Sequence, residues 1–297
     1  MGIAESSIGI IGAGKWGNAL KFAISQNNKV LITSRTFRDT QDFVSNSDIT
    51  KCEYLIYVMS SNHIGDWCEK LQLKNQKLLI ASKGITTNGE FLHDIVKKYL
   101  PEKNIAYLSG PSFASEVMQS LPTAVVVNST NKKLANTYSS FFPDFIKTYQ
   151  SSDILGAEIA GAYKNVIAIA SGICDGLGLG NNARAALLCR GLVEMARFGE
   201  YFGADAKTFL DLSGMGDLVL SATSVMSRNY RVGLGLAQEK SIENILKELG
   251  EIAEGIQTTK SIQLLSSKHK IYTPIVNEVF DVLNGKDPKI SLKDLLS

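Results

Sequence analysis

The most constraining stretch of this 297-residue chain is Gly12-Ala-Gly14-Lys-Trp-Gly17, a G-x-G-x-x-G run directly behind the apolar Ile8-Gly-Ile-Ile11. A short apolar run, three glycines at that spacing and a following segment of helical period read as strand, tight turn and helix N-terminus. Each glycine answers a different demand. Gly12 permits the turn, Gly14 lets backbone approach a pyrophosphate, and Gly17 lets the helix pack close to the sheet. The N-terminus of such a helix offers N–H groups and a favourable dipole to phosphates. The same glycines would also serve a turn that holds no ligand.

The pattern that follows is that of a parallel sheet wrapped by helices. Apolar runs at Ile8–Ile11, Val30–Thr33, Tyr54–Val58, Lys77–Ala81, Ile105–Leu108 and Ala124–Val127 alternate with helical segments such as Trp16–Ser25, Phe91–Leu100 and Lys132–Phe141. After about Ser151 the strand pattern stops. The remainder reads as helices at Ile154–Cys174, Ala183–Phe202, Tyr230–Glu239, Thr258–Lys268 and Ile275–Leu283. At roughly 150 residues per domain the length suits two domains. The change of pattern sets them at 1–152, an α/β, Rossmann-like doubly wound sheet with a dinucleotide fingerprint, and 153–297, an all-helical domain.

A dinucleotide fingerprint calls for an acid about 20 residues on, at the end of the second strand, to hold the ribose hydroxyls of NAD. Here that strand end reads Thr33-Ser34-Arg35-Thr36. A cation flanked by hydroxyls suits a 2′-phosphate, which favours NADP over NAD. Arg35 could instead stack on adenine or lie in solvent.

Four further segments stand out: Ala81-Ser82-Lys83-Gly84, Ser109-Gly-Pro-Ser-Phe-Ala114, Gly161-Ala-Tyr-Lys-Asn165, and Gly214-Met-Gly-Asp217 followed by Ser227-Arg-Asn229. With the fingerprint, their order and spacing resemble the bacterial type of NAD(P)-dependent glycerol-3-phosphate dehydrogenase, from Gly12 to about Glu254. The resemblance implies reversible reduction of dihydroxyacetone phosphate to sn-glycerol 3-phosphate with NADH or NADPH, a step that feeds phospholipid synthesis. It also implies a homodimer. Lys164 matches the family's catalytic lysine. Lys83, Gly110, Ser112, Asp217, Ser227, Arg228 and Asn229 fall on its substrate positions. Trp16, Arg35, Lys83, Ala114, Arg228 and Glu254 fall on cofactor positions, joined by Gly12, Gly14, Lys15 and Gly17 of the fingerprint. The chain departs from the family pattern by a deletion between Arg38 and Ile49, by Met59 where Pro is common, by Lys15 in place of a small residue, and by Ala222 where Cys is frequent.

Residue chemistry supports several of these roles. Lys164 lies among apolar and small residues, where a buried ammonium is costly unless paired, so either it works or it snorkels to solvent. Small neighbours at Ala160, Gly161 and Ala168 leave room for a carbonyl to approach, and an ammonium there can stabilise and protonate an alkoxide. Asp217 could orient that lysine, accept from a substrate hydroxyl, or merely cap a helix. Arg228 offers a planar fork for phosphate beside Ser227 and Asn229, although Asn229 could simply cap a helix starting near Tyr230. Lys83 and Ser109-Gly-Pro-Ser112 stand at the carboxyl edge of the expected sheet, where such folds bind ligands.

Other classes fit less well. Lys plus Arg is 31 and Asp plus Glu 29, a formal charge of +2, too balanced for a dedicated nucleic-acid or membrane-surface binder. The four cysteines form no C-x-x-C pair, and His63, His93 and His269 are too dispersed for zinc, so no metal is expected. No basic, apolar leader opens the chain and no run approaches about 18 apolar residues, so a cytoplasmic protein without membrane insertion is expected. A ketopantoate-type reductase would share the fingerprint and a lysine but not need the Ser227-Arg-Asn229 clamp. A nucleotide sensor would have no use for Lys164 and Asp217.

Overall fold

The computed structural model describes residues 7–250 and 253–291, and the chain divides into two compact units: residues up to 83 with 90–157, and 84–89 with 158 onward. In the first, the strands are β1 (Ile8–Ile11), β2 (Val30–Thr33), β3 (Tyr54–Tyr57), β4 (Lys77–Ile80), β5 (Ile105–Ser109), β6 (Thr123–Asn128) and β7 (Ile146–Ser151). They form one sheet in the order β2-β1-β3-β4-β5-β6-β7. Chain order reverses at β1, whose neighbours are β2 and β3, so the carboxyl edge of β1 is the topological switch point of a doubly wound fold.

The short apolar runs are strands because both faces of the sheet are covered. Ile8, Ile10, Ile56, Leu79, Ala106 and Leu108 pack on one side, with Ala19, Leu20 and Ala23 of the Lys15–Ile24 helix and with Leu134 and Tyr138 of the Lys132–Ser139 helix. The alternate residues Ile11, Leu55, Tyr57, Leu78, Ile80, Ile105 and Tyr107 pack on the other, with Trp67 and Leu71 of the Ile64–Leu71 helix and with Leu92 and Val96 of the Leu92–Lys97 helix. Strand period two thus divides one apolar run between two cores.

The sheet departs from the expected parallel arrangement at one place. β6 runs antiparallel to β5, with Ser109 opposite Val126. The connection 110–122 holds only the four-residue helix Ala114–Val117, and it returns the chain along the same edge rather than crossing the sheet. β7 also lies outside the six expected strands. Its sequence, Ile-Lys-Thr-Tyr-Gln-Ser, is polar because it is the edge strand, and only Ile146 is buried.

The second unit is helical, as expected. Residues 156–172 of the Ile154–Gly176 helix are all buried, which explains why that segment is apolar or small apart from Glu158, Lys164 and Asn165. The Gly180–Tyr201, Arg228–Ala237, Glu254–His269 and Pro274–Leu283 helices match the other expected segments, with starts a few residues earlier. Shorter helices at Ala206–Leu210 and Ile242–Leu249 were not anticipated, and the one at Asp217–Ala222 was foreseen only in the capping alternative for Asp217. Inside this unit Glu194 is 1% exposed. Its carboxylate accepts from Tyr163 Oη at 2.9 Å and from the backbone N–H groups of Ile275 and Val276 at 2.9 and 3.0 Å. Burial raises its pKa, while those three donors pull it back. Among the described residues no helix is long and apolar enough to cross a membrane, and no group of three or more His, Cys, Asp or Glu is placed to hold a metal ion.

Candidate functional site

In the first unit the fingerprint forms the turn from β1 into the Lys15–Ile24 helix. Gly12 has φ +128°, a region that favours glycine, and its N–H donates to Thr33 O at 2.8 Å, tying the loop to the end of β2. A Cβ on Gly17 would lie 1.8 Å from Gly12 O, so only glycine lets the helix return this close to the turn. Gly14 is the helix N-cap, and a Cβ there would meet nothing within 4 Å. The cap has no side-chain hydrogen bond, and the first turn carries no acid. A dinucleotide fits this loop: backbone can be approached at Gly14, and no carboxylate opposes an anion at the helix N-terminus.

The other expected residues of this unit lie at strand ends or at the start of a helix. Lys15 is exposed at the start of the fingerprint helix and Trp16 is half-buried beside it. Arg35 is exposed just past β2, with Ser34 donating to Thr36 O at 2.5 Å and no acid between Thr33 and Thr36. After β4, Lys83 Nζ donates to Gly110 O at 3.2 Å, and Ser112 Oγ donates to the same carbonyl at 3.2 Å. Gly110 has φ +103°, and a Cβ there would press on Ala124 O and Val125 Cα at 3.1 Å. The geometry therefore joins Lys83, Gly110 and Ser112 in one cluster. Ala114 opens the following short helix and packs against the core.

In the second unit Lys164 is 6% exposed and does not snorkel. Its Nζ donates to Asp217 Oδ1 at 2.5 Å and to Ser221 Oγ at 2.8 Å. Asp217 is fully buried, and the pairing is what makes a buried ammonium tolerable. The carboxylate reaches its place through a π-helical turn, Leu212–Gly216, which leads into the Asp217–Ala222 helix. Within that turn a Cβ on Gly214 would come 2.2 Å from Phe209 O. Gly216, not Asp217, is the N-cap, so the capping alternative for Asp217 is wrong. The neighbouring helix is held by Ser171 Oγ donating to Ala222 O at 2.6 Å.

Ser221 was missed in the sequence. It lies four residues after Asp217, on the same helical face, and that spacing was the available sign.

The Ser227-Arg-Asn229 segment is organised differently from the expectation that Asn229 might cap a helix near Tyr230. The helix begins at Arg228, and Ser227 is its N-cap, accepting from Tyr230 N at 3.3 Å. Asn229 Oδ1 instead accepts from Gly255 N at 3.0 Å, next to Glu254, the first residue of the Glu254–His269 helix. A Cβ on Gly255 would meet Asn229 Oδ1 at 2.6 Å and Asn165 O at 3.0 Å. Gly255 thus lies against both Asn229 and the backbone of the residue after Lys164. Arg228 is half-buried at the start of its helix.

Comparison with known proteins places this arrangement. The family model described as NAD-dependent glycerol-3-phosphate dehydrogenase C-terminus matches residues 153–293, and its N-terminal counterpart matches 38–135. The fingerprint and Arg35 precede the second span. The glycerol-3-phosphate dehydrogenase [NAD(P)+] of a Nitratiruptor species is 58% identical over 291 residues, 97% of either chain. That of Sulfurimonas denitrificans is 55% identical over 294 residues, covering 98% of this chain and 99% of the relative. The crystal structure of the Coxiella burnetii glycerol-3-phosphate dehydrogenase superposes with a TM-score of 0.91 at 30% identity, over 98% of this chain and 99% of that one. The chain belongs to the NAD-dependent glycerol-3-phosphate dehydrogenase family.

Proposed function

We propose that the protein interconverts dihydroxyacetone phosphate and sn-glycerol 3-phosphate with NADPH or NADH, supplying the glycerol backbone of phospholipids. The observation that carries this reading is the buried Lys164–Asp217–Ser221 cluster, in a chain of this family. The residues up to about 152 serve the dinucleotide and those from about 153 the substrate and its chemistry. When bound, the nicotinamide supplies or accepts the hydride at the substrate carbon. Gly12, Gly14, Lys15, Trp16 and Gly17 would hold its pyrophosphate end, with Arg35 at the adenosine ribose and Lys83, Ala114, Arg228 and Glu254 as further contacts.

The chain's own task is to meet the oxygen. Reduction turns a neutral carbonyl into an alkoxide, and Lys164 donates a proton to it while its charge stabilises the developing anion. Asp217 and Ser221 fix the direction of that ammonium before substrate arrives, so the position costs no reorganisation in the reaction. In the reverse direction the neutral amine takes the proton from the alcohol, and Asp217 makes recovery of the ammonium favourable. Arg228, with Ser227 and Asn229, receives the substrate phosphate through a bidentate fork. Lys83, Gly110 and Ser112 provide a second polar group for the substrate. Neither nucleic acid nor membrane insertion enters this reading; a cytoplasmic homodimer is part of it.

The test is direct. Purified protein with dihydroxyacetone phosphate should oxidise NADPH, and phosphate-free ketones or keto acids should be poor substrates. Turnover of a keto acid in preference to the phosphorylated ketone would overturn the assignment.

A further inference from the structure

Trp16 belongs to the proposed cofactor contacts, yet its indole N–H is engaged elsewhere. Trp16 Nε1 donates to Ala81 O at 3.1 Å, across 65 residues of sequence. Ala81 is the first residue past β4, and its own N–H donates to Tyr57 O at 2.8 Å. The next residue is held as firmly. Ser82 Oγ donates to Met59 O at 2.5 Å, and Ser82 O accepts from the Tyr107 hydroxyl at 2.9 Å. Lys83 follows, with its Nζ on Gly110 O.

The strand end is therefore clamped from three sides before the lysine leaves it: by the fingerprint helix through Trp16, by the end of β3, and by β5 through Tyr107. Tyr107 is fully buried, and burial of Ala81 and Ser82 leaves little exchange of these bonds with water. Of the three, the Trp16 bond alone comes from the loop that would hold the dinucleotide. A phenylalanine would keep an aromatic ring against the core but could not donate to Ala81 O.

We infer that the Trp16 indole N–H is a positioning group for Lys83, linking the dinucleotide loop to the substrate side of the same sheet edge. This rests on the proposed reading of Lys83 as a substrate contact. The role is separable from any stacking of the indole on the cofactor, because the donor atom and the ring face are different parts of the side chain.

A double-mutant cycle tests it. Trp16→Phe should raise KM for dihydroxyacetone phosphate by roughly three- to tenfold, the effect of one lost hydrogen bond, with a smaller change in kcat. Lys83→Ala alone should raise KM, and adding Trp16→Phe to it should raise KM no further, because residues acting through one another are not additive. Full additivity would overturn the inference. Should Trp16→Phe fail to fold, a chain grown with β-benzothienylalanine in a Trp67→Phe background keeps the shape of the indole and removes only its N–H. An unchanged KM in that chain would also overturn it. Absence of any turnover of dihydroxyacetone phosphate by the unmodified protein would instead remove the functional reading on which the inference rests.

Discussion

Gly172 and Gly233 bring two helices into backbone contact: a Cβ on Gly172 would lie 2.0 Å from Tyr230 O, and one on Gly233 would lie 2.0 Å from Ile169 O. The first helix carries Lys164 and the second begins at Arg228. Their separation is set by glycine. Gly233→Ala should push the helices apart and destabilise the protein by about 1–3 kcal/mol, the usual cost of overpacking. Urea unfolding with an unchanged m-value would measure it, and a loss below about 0.5 kcal/mol, the level of an ordinary surface substitution, would contradict the contact.

Lys164→Met keeps the apolar stem and removes the charge and the proton. Loss of general acid catalysis is typically about 10²- to 10⁴-fold, and lost electrostatic stabilisation deepens the fall in kcat. NADPH binding should persist. Turnover within tenfold of the unmodified enzyme, from a folded variant, would take Lys164 out of the chemistry.

Arg228→Lys retains charge but loses the planar fork. KM for the phosphorylated ketone should rise by a larger factor than KM for a phosphate-free analogue. Equal shifts on both substrates would place Arg228 outside phosphate recognition.

Arg35 stands exposed after a strand end without an acid. The enzyme should show a higher kcat/KM with NADPH than with NADH, and Arg35→Asp should reverse the order by replacing a phosphate partner with a ribose partner. An unchanged cofactor ratio in the variant would show that another residue sets the preference.

Burial pushes the Cys52 thiol up to about 11 and the Cys68 thiol up to about 12. Both are therefore protonated in the folded state over a range where an unfolded chain would lose protons. Stability from these groups is complete below about pH 9 and is lost as pH rises through their folded values. At pH 8.5 iodoacetamide should label the exposed Cys189 of native protein and spare Cys52 and Cys68. Peptide mass spectrometry would show it, and equal labelling at all three would mean that the fold opens at these cores.

The parts legible in the sequence were those governed by local rules. The first six strands announced themselves because buried strands in a covered sheet read as apolar runs such as Ile8–Ile11, and the fingerprint because the turn at Gly12 and the close approach at Gly17 demand glycine. What escaped depended on distant partners. β7 is polar because it closes the sheet, and the reversal at β6 is written in where the 110–122 connection returns, not in the strand's composition. Lys164 was recognisable as a costly cation in an apolar helix, but its second partner, Ser221, is a common residue 57 positions later. Ser227 and Asn229 were singled out in the sequence as polar neighbours of Arg228. Their individual bonds, one capping the helix and one reaching Gly255, follow from where that helix starts, which a sequence fixes least well.

The Glu194 carboxylate ties the timing of folding to the order of synthesis. Its donors at Ile275 and Val276 lie 81 and 82 residues later. A ribosome adding about 5–20 residues per second needs roughly 4–16 s to make that stretch. Through that interval a carboxylate bound for the interior lacks its two backbone partners, and the helix that begins at Pro274 does not exist. Tyr163, which also donates to the carboxylate, is then the one donor of the three already made. The nascent chain thus carries Tyr163 and Glu194 well before the helix start that completes the carboxylate's set of donors.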